Sequence, residues 1–320
     1  MVAGYGLCAI PGSMERRGCR IMALGSAHGV DDALSVAIVQ MRPISAADRA
    51  EVRQNVDTLR AWMDRAVAGF PGVDLIVFPE GSLQGYHVAN WLDTVVDLSG
   101  PEVAALAAHC KELKVWAHFS LLERHPQGKK PFNTSVLIDS AGDIALRYVK
   151  VNPWVPLEEC TPGDQFCVVD GPKGARLGVI TCYDGDLPES AREVAMMGAN
   201  VLIRGAAYME PYSEPWVFTN QARAWENLMY VVAVNQVGTD PMYTYTGRSM
   251  IVNFDGRIIT ELSRDAEGMT KADLYPGLVD QARRQYGEQN HLYNLTHRGH
   301  SALPPRGLTN NPYSFYRNWK

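Results

Sequence analysis

The spacing of apolar residues divides the chain into alternating strands and helices. Short apolar runs at Leu34–Gln40, Asp74–Glu80, Val115–Leu122, Leu177–Ile180, Asn200–Arg204 and Tyr230–Gln236 predict strands, and the Leu177–Ile180 run reads as a buried parallel one. Between them lie stretches with helical spacing. The clearest is Ala46–Ala68, where Val52, Val56, Leu59, Met63 and Val67 recur every three or four residues before Gly69 breaks the pattern. Helices are also predicted over Pro101–Lys111, Trp216–Asn227 and Leu187–Met197, the last stopped by Gly198. Asn133–Ile138 and Ile144–Tyr148 predict a hairpin, as do Arg248–Phe254 and Arg257–Glu261 across Asp255-Gly256. Strands alternating with helices, with hairpins added, predict an α/β fold of stacked sheets covered by helices, an αββα sandwich.

Both ends depart from this pattern. Residues 1–33 are glycine-rich and read as a flexible lead-in, with Met14 or Met22 as alternative starts. Residues 276–320 hold a short predicted helix, Gly277–Tyr286, and then a polar, aromatic, proline-containing tail. Such a tail has too little apolar periodicity to fold alone. It reads as a C-terminal arm wrapping a neighbouring subunit. Residues 34–275 are left as the folded body.

Composition narrows the function classes. Of 320 residues, 46% are hydrophobic, enough for a large core. The net charge of -5 gives no reason to expect a nucleic-acid partner. No apolar run is long enough to span a bilayer, and the N-terminus lacks a basic segment followed by an unbroken apolar one. The six cysteines are scattered without C-x-x-C pairs and read as reduced thiols of a cytoplasmic protein. His291, His297 and His300 lack a supporting Cys or Asp pair, and Cys160 and Cys167 lie too far apart for a zinc site, so no metal is expected. Asn133-Thr134-Ser135 and Asn294-Leu295-Thr296 match the glycosylation pattern, which a cytoplasmic protein does not use.

Three predicted strands end in reactive side chains: Glu80, Lys150 and Cys182. In α/β sheets ligands collect beyond the carboxyl ends of strands. Cys182 sits where a strand turns into a helix, with Asp186 as a predicted cap, Pro188 in the first turn and Glu189 completing a capping box. Backbone N–H groups at such a place favour negative charge, so the thiol is expected to lose its proton easily. A carboxylate, an ammonium and a thiol suffice for acyl transfer. Glu80, its pKa raised by burial, would take the thiol proton; Lys150 would hold the oxyanion; Cys182 would carry a thioester that water cleaves.

The sequence contexts of this trio resemble the nitrilase (carbon–nitrogen hydrolase) superfamily, within it the aliphatic amidase and formamidase branch. The resemblance rests on Phe78-Pro79-Glu80, Ser82-Leu83-Gln84-Gly85, Tyr148-Val149-Lys150 with Pro153-Trp154 and Pro156-Leu157-Glu158, and Cys182-Tyr183-Asp184-Gly185 with Pro188-Glu189. It continues through Tyr245-Thr246-Gly247, Phe254-Asp255-Gly256, Gln289-Asn290-His291-Leu292 and His297-Arg298-Gly299. It implies a four-layer αββα sandwich with a C-terminal arm. It implies hydrolysis of a short-chain primary amide of the formamide or acetamide type, with acyl transfer to hydroxylamine as a side reaction.

The same resemblance implies Glu80 as base, Lys150 as oxyanion stabiliser, Cys182 as nucleophile and Glu158 as a second glutamate that positions amide and water. Trp154 and Tyr208 fall on positions that wall the family's pocket. No metal or organic cofactor is implied, and the partners are a small-molecule amide and further copies of the chain, in dimers that build larger rings such as hexamers. Three departures fall around the acyl pocket. Gly81 stands where an aromatic residue is usual, Tyr183 where Asp or His is usual, and Glu159-Cys160-Thr161 replaces a stretch that carries Trp-Tyr. The loss of a ring at Gly81 is expected to widen or rewet the site.

Overall fold

Successive side chains of the first strand point into different layers, and that alternation sets the architecture. Leu34, Val36 and Ile38 pack against a second sheet, whereas Ala37 and Val39 pack against helices. The structure is a computed structural model that describes residues 32–86, 91–155 and 158–287. In chain order the first half holds β1 (Leu34–Gln40), α1 (Arg49–Gly69), β2 (Leu75–Val77), α2 (Trp91–Thr94), α3 (Pro101–Leu113), β3 (Trp116–Glu123), β4 (Phe132–Ile138) and β5 (Ile144–Val149). The second half holds β6 (Val168–Asp170), β7 (Arg176–Thr181), α4 (Pro188–Met196), β8 (Val201–Ala206), α5 (Ser213–Asn227), β9 (Tyr230–Asn235), β10 (Val237–Thr239), β11 (Thr244–Thr246), β12 (Met250–Val252), β13 (Ile258–Glu261), β14 (Gly268–Leu274) and α6 (Pro276–Gly287).

Two six-stranded sheets form, ordered β14-β1-β2-β3-β4-β5 and β13-β12-β9-β8-β7-β6. The centre of each is parallel (β1 with β2 and β2 with β3, then β7 with β8 and β8 with β9), while the outer pairs are antiparallel. A shared core lies between the sheets, joining Leu34, Leu75 and Val77 of one to Leu177, Ile203 and Val232 of the other. The apolar stripe of α1, Val52-Val56-Leu59-Met63, covers the outer face of the first sheet together with α3. On the second sheet Ala191 and Val194 of α4 and Trp216 and Ala224 of α5 do the same. The result is the four-layer αββα sandwich.

β14 is absent from the sequence expectation. Its residues, Gly-Met-Thr-Lys-Ala-Asp-Leu, offer little apolar alternation. It is a strand because β1 supplies a full antiparallel partner, from Leu34 opposite Leu274 to Gln40 opposite Gly268. Tertiary pairing there overrides weak local preference. α6 opens the predicted C-terminal arm, and it packs on its own chain: Val279 and Ala282 are buried in the inter-sheet core. The N-terminal lead-in, apart from its last residues, lies outside the described residues, as do the arm beyond Gly287, Pro156-Leu157 and the Gln289–Leu292 and His297–Gly299 stretches.

Ile203 is fully buried between the sheets. Ile203→Ala is expected to cost about 2–5 kcal/mol, transfer and cavity terms together. Chemical denaturation at fixed protein concentration would read this as a lower midpoint with an unchanged slope.

Candidate active site

Both sheets end in polar side chains on the same edge, and these meet. Lys150 follows β5 directly, Glu80 lies just beyond β2, and Cys182 follows β7. Two hydrogen bonds tie the sheets together beside them: Ser135 with Thr181 at 3.0 Å, and the Tyr148 hydroxyl donating to Asp184 at 2.7 Å. Asp184 also accepts from the Thr181 and Asn152 backbone N–H groups, so the turn after Cys182 is fastened to both sheets.

The Lys150 ammonium is fully buried and lies 2.9 Å from Glu80 Oε1 and 2.6 Å from Glu158 Oε2. Both carboxylates are buried as well. Asn133 donates to Glu80 Oε1 and to Glu158 Oε1, each at 2.7 Å. The Ala207 N–H donates to Glu80 Oε2 at 3.0 Å, and the Trp154 N–H to Glu158 Oε2 at 2.9 Å. Two carboxylates and one ammonium leave this cluster with a formal charge of −1. Burial pushes the Glu80 pKa up, with the Glu158 charge adding to the shift and Lys150 opposing it. Burial alone would pull Lys150 down. The Glu158 and Glu80 carboxylates outweigh it and hold the ammonium well above its ordinary value.

Cys182 begins a 3₁₀ turn, Cys182–Asp186, before α4. Its φ of 47° lies in the left-handed region, a strained conformation for a side chain with a Cβ. Arg204 holds it there. This fully buried guanidinium donates to the Cys182 carbonyl at 2.9 and 2.7 Å, binds Asp186 at 3.0 Å, and lies over the Trp216 ring at 4.9 Å. Asp186 is therefore not the helix cap expected from sequence. Leu187 occupies the cap position without a side-chain bond, and Asp186 instead receives Arg204 and the Tyr208 hydroxyl. The expectation that the turn lowers the thiol pKa is also overturned. Burial pushes Cys182 well above its ordinary value and Glu80 adds to this, against the smaller opposing effects of Lys150, the Ala207 N–H and Arg204. The buried thiol keeps its proton.

Two cavities flank the cluster. One, of about 160 Å³, is lined by Cys182, Tyr183, Trp154, Tyr208 and Ala207, the first four being residues singled out in the sequence. The other, of about 310 Å³, is lined by Glu80, Gly81, Asn133, Glu158 and Cys160 among others. Ala207 faces the first cavity and its N–H binds Glu80, which faces the second. Seven of the eight sequence-predicted site residues thus border one cavity or the other; the eighth, Lys150, is enclosed between the glutamates.

Sequence reasoning missed Asn133 and Arg204 as site residues. Asn133 was visible only as part of a glycosylation pattern, and a buried amide between two acids explains it better. Arg204 closed an apolar strand run, and a charge in that place was the available signal. His291, His297 and His300 lie outside the described residues. Among the described residues no group of His, Cys, Asp and Glu side chains could hold a metal ion, and no helix is long and apolar enough to cross a membrane.

Residues 35–284 match the carbon–nitrogen hydrolase family model. The chain is 41% identical over 285 residues to a formamidase of Bacillus thuringiensis (strain Al Hakam), covering 88% of this chain and 86% of that one, and equally similar to a formamidase of Bacillus cereus (strain Q1). Among solved structures, Saccharomyces cerevisiae Nit3, a member of the nitrilase superfamily, superposes with a TM-score of 0.73 at 24% identity, over 81% of this chain and 96% of that one. An amidase of Nesterenkonia AN1 from the same superfamily gives 0.68 at 24%, over 80% and 96%. These two likenesses concern the fold.

Arg204→Met would leave the Cys182 carbonyl and the Asp186 carboxylate without their cation. A cost of about 3 kcal/mol is expected, at the low end for a broken buried pair because Asp186 keeps some water. Arg204→Lys should recover only part of it, since an ammonium cannot reproduce the planar fork. Thermal melts of the three proteins side by side check both statements.

Proposed function

The chain belongs to the carbon–nitrogen hydrolase family, and from that premise we propose that it hydrolyses a short-chain aliphatic primary amide to carboxylate and ammonia through an acyl-enzyme on Cys182. The observation that carries this reading is the buried Lys150 ammonium bridging Glu80 and Glu158 beside Cys182. The formamidase relatives support an amide as the substrate class.

The chemistry follows from counting donors and acceptors. A carboxylate offers about four acceptor positions, and Glu80 has three filled, by Lys150, Asn133 and Ala207. The fourth, on Oε2, is available for the thiol proton. An ammonium has three N–H groups, and Lys150 gives two to the glutamates. The third can meet the carbonyl oxygen of a substrate. Cys182 Sγ attacks the carbonyl carbon while its proton passes to Glu80. The oxyanion forms against Lys150, a contact of the kind worth about 3–4 kcal/mol of barrier. The C–N bond breaks as Glu80 returns the proton to the departing nitrogen, which leaves as ammonia. Water then attacks the thioester, Glu80 takes a proton from it, and the thiol departs reprotonated. Glu158, fixed on both oxygens, holds Lys150 and orients amide and water. Hydroxylamine in place of water would give a hydroxamate.

Cys182→Ala is expected to lower ammonia release from formamide and acetamide by about 10⁴-fold or more. Near-wild-type release would refute the nucleophile assignment. Parallel assays with a nitrile and a ureido compound decide between amide hydrolysis and the other reactions of the family.

The working state needs Glu80 ionised and the thiol protonated. Glu80 is raised above 4.5 by burial, so activity is lost as pH falls through that raised pKa. The acid limb of the kcat/KM profile should therefore have its midpoint above 4.5; a midpoint at or below it would contradict the assignment of Glu80 as base.

A further inference from the structure

Tyr86 closes the turn that starts at Glu80, and its hydroxyl is buried without a hydrogen-bond partner among the described residues. Such a group is costly to bury unless something supplies the missing bond. The side chain lines the 310 Å³ cavity together with Glu80, Gly81, Asn133 and Glu158. Its ring meets Tyr243 edge-on, centroids 6.2 Å apart, which fixes the direction of the phenol. Burial pushes its pKa well above the ordinary value, and the charges of Lys150, Glu158, Glu80 and Cys182 all act on it. The phenol is therefore neutral, able to donate and to accept, and close to every member of the proposed catalytic set. His118 Nε2 is also buried and unpaired, but that ring lines neither cavity.

Gly81 cannot carry a ring itself. Its φ is +65°, and an added Cβ would lie 2.7 Å from the Gly85 carbonyl oxygen, so no side chain fits at that position. The sequence reading expected a widened, wetter site from the missing ring. Tyr86 returns a ring to the same cavity from the far end of the same turn.

We propose that the Tyr86 hydroxyl is a substrate contact, hydrogen-bonding the reacting amide group from the wall it shares with Glu80, Asn133 and Glu158. This inference rests on the amidase reading. The amide group is common to all substrates, so the contact serves every acyl chain alike. It also leaves a signature that a structural hydroxyl would not leave: the bond exists only with substrate bound, so removing the oxygen costs turnover and not stability.

The test is Tyr86→Phe, assayed on formamide and on propionamide and melted without substrate. The expected result is a fall in kcat/KM of about tenfold or more on both amides, with a melting temperature equal to or above that of the unaltered protein. A kcat/KM within twofold of wild type, or a loss confined to one amide, overturns the contact. So does a melting temperature lowered by more than about 2 °C, which would reveal a structural partner. Should the unaltered protein hydrolyse neither amide, the amidase reading fails and the Tyr86 contact falls with it. Should it hydrolyse both while Tyr86→Phe behaves identically, only the contact fails.

Discussion

A buried ammonium between two buried carboxylates is the constraint on which the rest of this site depends. Taking three charges out of water is costly, by several kcal/mol per ion, and is tolerated only with short contacts and filled lone pairs. Here the Asn133 amide and two backbone N–H groups, from Ala207 and Trp154, fill most of the remaining positions. Those donors come from β4, from the segment after β8 and from the loop after β5. The cluster can exist only if both sheets are stacked in register, so the fold and the chemistry specify each other. Such an arrangement is weak evidence for stability and stronger evidence for function.

Burial of these groups has a chemical consequence. It raises the proton affinity of Glu80, against the pull of Lys150, and that of Cys182, where the Glu80 charge adds to it. The resting thiol is thus neutral. It is not activated by the helix that follows, as its position in the chain suggested, because it opens a 3₁₀ turn, Cys182–Asp186, that precedes α4, and burial dominates. On the proposed mechanism its reactivity comes from handing the proton to Glu80, whose affinity is already high. Arg204 contributes by fixing the backbone of the turn, and Gly185 leaves the space that guanidinium occupies, since a Cβ there would lie 2.1 Å from its Nε.

Much of this was legible in the chain. Apolar runs leading into Glu80, Lys150 and Cys182 marked β2, β5 and β7 because apolar residues in a recurring pattern have to be buried. The helices with regular spacing, α1 above all, were legible for the same reason. Glu158 was reachable only through the resemblance to known hydrolases, since nothing local distinguishes it from a loop carboxylate. Asn133 and Arg204 were hidden because their meaning lies in partners 53 and 22 positions away. β14 was hidden because its partner makes it a strand, and Asp186 was misread because a cap and an ion-pair partner look alike in sequence.

The central claim is that Cys182 reacts only through the charge state of the Lys150–Glu80–Glu158 cluster. The most direct measurement is the pH dependence of Cys182 alkylation by iodoacetamide, quantified by peptide mass against Cys160 in the same chain, in the unaltered protein and in Lys150→Met. The account predicts a Cys182 rate that climbs with the ionisation of Glu80 at a pH where Cys160, its pKa pushed up to about 12, is inert, and that this advantage disappears without the ammonium. Equal rates for the two thiols in the unaltered protein, or a Cys182 rate untouched by Lys150→Met, would contradict it.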